Sequence, residues 1–171
     1  DGIRDSVASR GLGDVYKRQI PIVLIFFPLT ILPVTFFAGP NKLTKAVKEA
    51  VTYGKNLGNV TLLTYGDVSD SLLLETGNFG VENILICRSL KERNEQLLTK
   101  LIVSAVKEQN FEYIVLSQDQ TGKAVAPRVA ANLEAGHISG AISFPENTDE
   151  FTVKTNVFSG KATAYVTVHS E

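Results

Sequence analysis

The residues of this chain best suited to chemistry lie in one run, Ser117–Gly140, which reads SQDQTGKAVAPRVAANLEAGHISG. Within it Thr121, Gly122 and Lys123 come after an apolar stretch, Tyr113-Ile114-Val115-Leu116, and open a segment rich in small residues. A strand that passes through a Thr-Gly-Lys turn into a helix gathers backbone N–H groups, a hydroxyl and an ammonium, a combination that can hold a phosphate or another anion. The same three residues also read as plain structure, with Thr121 capping the helix, Gly122 fitting the turn and Lys123 solvated. A P-loop is excluded, because GxxxxGK[ST] needs a hydroxyl residue after the lysine and Ala124 and Val125 stand there instead.

Other reactive side chains are isolated. His137 sits between Gly136 and Gly140 with no serine or cysteine motif to frame a nucleophile. Asp119 has no second carboxylate spaced for acid–base work. Cys87 ends an apolar stretch and reads as a small buried hydrophobe. Arg128 is either a solvated charge or an interface anchor, since arginine is enriched in interfaces. Pro127 falls within the first turns of the helix, where a missing N–H costs little. Ser159-Gly160-Lys161 reads as a hairpin turn rather than an anion site. Two histidines and one cysteine make no metal template. The sequence therefore offers no catalytic residue and no metal site.

The elements that would position these residues emerge from periodicity. Leu43, Ala46, Val47, Ala50, Val51, Gly54 and Leu57 recur at helical spacing, with Lys45, Lys48, Glu49 and Lys55 on the other side. This predicts a helix over residues 42–57, with Asn41 as N-cap and Gly58 as its stop, burying Leu43, Val47, Val51 and Leu57. Val60–Tyr65 reads as a strand, and Ser71–Leu74 as a brief helix that stops at Gly77. Asn83–Cys87 reads as a strand covered on both faces. Leu97, Leu98, Leu101, Ile102, Ala105 and Val106 mark a long helix, Tyr113–Leu116 a strand, and Val125, Ala126, Val129, Ala130 and Leu133 the stripe of the next helix. A short strand is expected at His137–Ser143. Strands alternating with helices imply βαβ units and a parallel sheet. Phe151, Val153, Thr155 and Val157 then alternate with polar residues, as do Ala164, Val166 and Val168, which predicts an antiparallel hairpin added to that sheet. The fold class is α/β: a Rossmann-like, mostly parallel sheet flanked by helices, with a C-terminal antiparallel hairpin.

With 17 Lys and Arg against 18 Asp and Glu, and no long basic run, nucleic acid is not an expected partner. The single cysteine cannot form an internal disulfide and points to a reducing, cytoplasmic setting. Residues 1–19 show no apolar periodicity and resemble library or adapter read-through more than a native tail. Residues 20–38 carry no charge and three prolines, Pro21, Pro28 and Pro33. They read as a membrane span, as a signal sequence flanked by Lys17 and Arg18, or as a first strand at Ile22–Phe27 leading into an unusual loop. The last is preferred because the chain from Gly39 onward looks cytosolic. The absence of methionine suggests an incomplete chain.

The run TGKAVAPR at Thr121–Arg128 is similar to the N-terminal domain of the electron-transfer flavoprotein alpha subunit. Its surroundings agree in order: LSQDQTGKAVAPRVAANLEAG, a short strand from His137, then NVFSGKATAYVTV. NKLTKAVKEAVTYGKNLG resembles that family's first helix, and ETGNFGVENILIC its GxxGxxxV-type turn into the second strand. The resemblance covers about residues 41–168, within a domain assigned to residues 39–171. Two departures stand out: the family opens with a short strand and a charged turn where Ile20–Ala38 is wholly apolar, and its FAD-binding second domain is not seen before Glu171.

The resemblance implies an electron carrier rather than an enzyme. Such an alpha subunit pairs with a beta subunit, holds FAD in its C-terminal domain and passes electrons from acyl-CoA and related dehydrogenases, as in fatty acid beta-oxidation, to a membrane quinone reductase. This domain would then be scaffold, and AMP would belong to the partner subunit, whose similar loop holds it. The alternatives from other classes are a free-standing universal-stress-type module that holds AMP or ATP on Thr121–Lys123, and a domain anchored to a membrane by Ile20–Ala38.

Overall fold

The computed structural model describes residues 22–25, 34–38, 43–109, 111–145 and 151–168. Residues 1–19, and the proposed cap Asn41, lie outside them. Within the apolar segment, β1 (Ile22–Ile25) and β2 (Val34–Ala38) are strands. They are succeeded by α1 (Lys45–Lys55), β3 (Val60–Tyr65), α2 (Asp70–Asn78), β4 (Asn83–Cys87), α3 (Glu95–Gln109), β5 (Tyr113–Leu116), α4 (Gln120–Leu133), β6 (Gly136–Ile138), β7 (Phe151–Val157) and β8 (Ala162–Val168). No helix among the described residues is long and apolar enough to cross a membrane.

The main sheet has the order β4-β3-β2-β5-β1-β6. β2, β3, β4 and β5 are parallel, with Phe36 opposite Leu62 and Val115, and Leu63 opposite Leu85. β1 runs antiparallel between β5 and β6. The α/β class with a mostly parallel, helix-flanked sheet and a C-terminal hairpin is what the structure has.

Alternation along β3 and β5 builds two cores. Leu62 and Val115 point to one side, where Leu43, Val47, Ala50, Val51 and Tyr53 of the α1 segment pack with Ile138, Phe151 and Val153. Leu63, Ile114 and Leu116 point to the other, against Leu98, Ile102 and Val106 of α3 and Val125, Ala126, Val129 and Ala130 of α4. Helices thus cover both faces, and the apolar run of β5 is explained by having no wet side. The stripe expected on α4 is buried residue for residue.

Helix α1 is shorter than residues 42–57. Thr44 is its N-cap, accepting the Val47 N–H, and Asn56 closes it. Leu57 is only half-buried, whereas Tyr53 is buried and donates its hydroxyl to the Ser143 carbonyl at 3.0 Å. The Tyr53 ring also stacks on Phe144.

Three expectations are corrected. β4 is an edge strand, so its side chains are half-buried or exposed rather than covered on both faces. The strand expected at His137–Ser143 ends at Ile138, because Gly140 turns the chain at φ +69°. The hairpin β7–β8 is a separate two-stranded sheet instead of an extension of the main one. It is tied back by the Ala141–Thr155 bridge and by Ile142 N–H donating to the Lys154 carbonyl at 2.8 Å. Its inward residues Phe151 and Val153 join the α1 core, and the Phe151 ring lies 5.3 Å from Tyr113.

Full burial of a side chain such as Val47 is worth about 1.5–3 kcal/mol, and a carboxylate in its place would be stranded without a partner. Lys48 is surface-lying, paired with Glu75 and set over the Phe79 ring. Val47→Asp is therefore expected to abolish the cooperative thermal transition, while Lys48→Ala shifts stability by about 1 kcal/mol or less. Equal melting of the two variants would contradict the assignment of α1 to the core.

Candidate functional site

The carboxyl ends of the parallel strands are where sheets of this kind expose free backbone groups and receive ligands. β5 ends there at Leu116, and the chain reaches α4 in three residues. Asp119 is the N-cap: its Oδ1 accepts the Gly122 N–H at 2.8 Å, and its Oδ2 accepts the Ser117 hydroxyl at 2.8 Å. Its backbone carbonyl accepts the Lys123 N–H at 3.0 Å. The cap is thus Asp119 and not Thr121, because only the residue just outside the first turn has the extended backbone that turns its side chain back onto the amides.

Thr121, Gly122 and Lys123 all lie inside the first turns of α4. Thr121 is half-buried, Gly122 buried and Lys123 exposed. Gly122 is dictated by contact: a Cβ there would sit 1.9 Å from the Ser117 carbonyl oxygen. The glycine lets the helix start press against the end of β5. Pro127 stands in mid-helix, so the Lys123 carbonyl loses its partner one turn back. The proline lies on the exposed face, where water can meet that carbonyl.

Neighbouring strand ends carry their own polar pairs. Lys91 bonds Asp67 at 2.8 Å and holds its carboxyl below the usual range. Arg93 bonds Glu95, whose carboxyl is lowered first by its own backbone N–H and then by Arg93. Cys87 lies 3.3 Å from the Ser89 hydroxyl, a hydrogen bond that lowers its thiol pKa. Cys87 is half-buried, less enclosed than expected, because β4 is an edge. No group of three or more His, Cys, Asp or Glu side chains suited to a metal occurs among the described residues.

The remaining candidates fall apart from this corner. His137 is exposed on β6. Arg128 lies on the outer wall of α4 beside α3. Ser159-Gly160-Lys161 is the hairpin turn, with Phe158, Ser159 and Gly160 all at positive φ. The capping role of Asp119 escapes the sequence reading, although an Asp just before an apolar-periodic run is a readable N-cap signal. The i, i+4 rows Gln96–Lys100–Ser104 and Arg128–Asn132 escape it too, each a legible polar stripe.

A family model described as the electron transfer flavoprotein domain matches residues 37–171. The chain belongs to the electron transfer flavoprotein family. Within it, the chain is similar to alpha subunits and is an alpha-type N-terminal domain. It is 29% identical over 115 residues to the Caenorhabditis elegans protein named "Probable electron transfer flavoprotein subunit alpha, mitochondrial", covering 65% of this chain and 34% of that protein. It is 24% identical over 119 residues to the electron transfer flavoprotein subunit alpha of Bacillus subtilis (strain 168), covering 67% and 37%. The chain spans about a third of the length of these relatives.

The family name implies a flavin, whose phosphate groups would need free amides and no competing anion. At the start of α4 the Gly122 amide is already engaged and the Asp119 carboxylate holds the anion position. This corner does not fit such a group.

Gly122→Ala is expected to destabilise the chain by about 1–3 kcal/mol through overpacking against Ser117. Asp119→Ala removes the cap and costs about 0.5–2 kcal/mol. Chemical denaturation measures both, and a Gly122→Ala variant as stable as the parent would refute the close-contact role.

Proposed function

We propose that this domain is the scaffold of an electron-carrying flavoprotein, pairing with a beta-type subunit and supporting a separate FAD-binding domain. In that role the complete protein passes electrons from acyl-CoA and related dehydrogenases to a quinone reductase, and this domain carries no catalytic group. One observation carries the reading: the electron transfer flavoprotein domain model matches residues 37–171, while the corner best placed to hold a phosphate is filled by its own aspartate. The lone cysteine agrees with a reducing, cytoplasmic setting.

The pairing surface on this reading is the hairpin. Its inner side is fixed in the α1 core, and its outer side presents Tyr165, 61% exposed, with Phe158 at the tip, 80% exposed. Lys154 lies over the Tyr165 ring at 5.1 Å. Aromatic residues exposed to solvent are the kind that anchor interfaces.

Co-purification with a beta-type electron transfer flavoprotein subunit tests this directly. Phe158→Asp is expected to weaken association by about tenfold or more while leaving the melting temperature unchanged. Unaltered pairing would remove the hairpin from the interface.

The second reading, a free-standing nucleotide module, rests on Lys123 standing exposed at the helix start. Calorimetric titration of the chain with AMP separates the two. The scaffold reading expects no saturable heat at micromolar AMP; saturable binding that disappears in Lys123→Ala would replace it with the nucleotide module.

A further inference from the structure

On the outer side of the sheet, α3 and α4 lie side by side in the same direction. Ala105, Ala126 and Ala130 let them close together at the core, while longer side chains diverge outward. Between them is a surface groove of about 510 Å³. That size falls in the range of small-molecule sites, about 300–1,000 Å³. One wall carries Gln96, Lys100 and Ser104 of α3, the other Arg128 and Asn132 of α4, with Val103 between.

The charges in this groove are unbalanced. The ion pairs among the described residues join Lys45 to Glu49, Lys48 to Glu75, Lys91 to Asp67 and Arg93 to Glu95. Lys100 and Arg128 take part in none of them. Glu95 lies within electrostatic reach of Arg128, and Arg93 already bonds it.

The hydrogen-bonding groups are equally one-sided. Thr99 spends its hydroxyl on the Glu95 carbonyl, and the Asn132 amide NH₂ donates to the Arg128 carbonyl. The Gln96 amide and the Ser104 hydroxyl have no partner among the described residues and remain available for a ligand. A guanidinium on one wall and an ammonium on the other, with an amide and a hydroxyl beside them, form a donor-rich cleft suited to oxygen anions.

We propose that the α3–α4 groove binds a small oxyanionic ligand, held between Arg128 and Lys100, with Gln96 and Ser104 as further donors. The site is separate from the start of α4 and does not rest on the scaffold reading. A phosphate ester and a dicarboxylate share the required chemistry.

Amide chemical shifts of the full chain, monitored by NMR during titration, test the proposal. One series uses inorganic phosphate and another succinate, each against sodium chloride at matched ionic strength. Saturable shifts on Gln96, Lys100, Arg128 and Asn132, absent with chloride, are expected in at least one series, and the responding series names the ligand class. The double variant Lys100→Gln/Arg128→Gln keeps two exposed polar side chains, so its fold is expected to be intact by circular dichroism. Its apparent affinity should fall by about tenfold or more. The proposal is overturned by shifts that chloride reproduces, by shifts that move to Thr121–Lys123, or by an affinity unchanged in the double variant.

Discussion

The structure depends on the burial of β5 on both faces. Val115 enters the core under α1, while Ile114 and Leu116, its neighbours on either side, enter the core under α3 and α4. Each of the three is 1% exposed or less. A strand so placed cannot slip by one residue without exchanging its partners on both sides at once. That constraint fixes where β5 ends, and therefore where α4 begins. The contact of Gly122 with the Ser117 carbonyl and the Asp119 cap are consequences of that position.

The same corner shows how a shared architecture can carry different uses. A helix that starts at the carboxyl end of a parallel strand has amides aimed outward and a positive dipole end. An external anion can satisfy them, and so can a side chain. Here Asp119 does so, with one oxygen on the Gly122 amide and the other on the Ser117 hydroxyl. The negative charge that a ligand would bring is already part of the chain.

Much of this is legible in the sequence where burial is periodic and local. The α4 stripe, the limits of β3 and β5 and the alternating hairpin strands come from residues whose spacing has one physical reading. What the sequence conceals depends on neighbours distant along the chain. Asn83–Cys87 has the composition of a covered strand, yet composition cannot tell a central strand from an edge one. Tyr53 is not part of the apolar stripe that the spacing marks, and its partner at Ser143 lies beyond seven further elements. At the candidate site, Thr121-Gly122-Lys123 is visible, while Asp119 is read only as an isolated acid and its capping role is missed. Of the groove residues only Arg128 stands out in the sequence, as a solvated charge or an interface anchor. Their opposition across two helices is a property of packing.

Burial of the Tyr53 phenol has a further consequence for the limits of the fold. Its hydroxyl donates to a carbonyl inside the protein, and desolvation pushes its ionisation upward from the ordinary value near 10. Tyr65 and Tyr113 are shifted the same way, also by burial. A group whose folded pKa is raised stabilises the protein below its unfolded pKa, and that contribution is lost as pH rises above it. Burial of these phenols thus works against the fold as pH rises past their unfolded value. Above about pH 10, phenolate forms more readily on the opened chain than on the packed one. In a chain without tryptophan, tyrosine absorbance alone would report that ionisation.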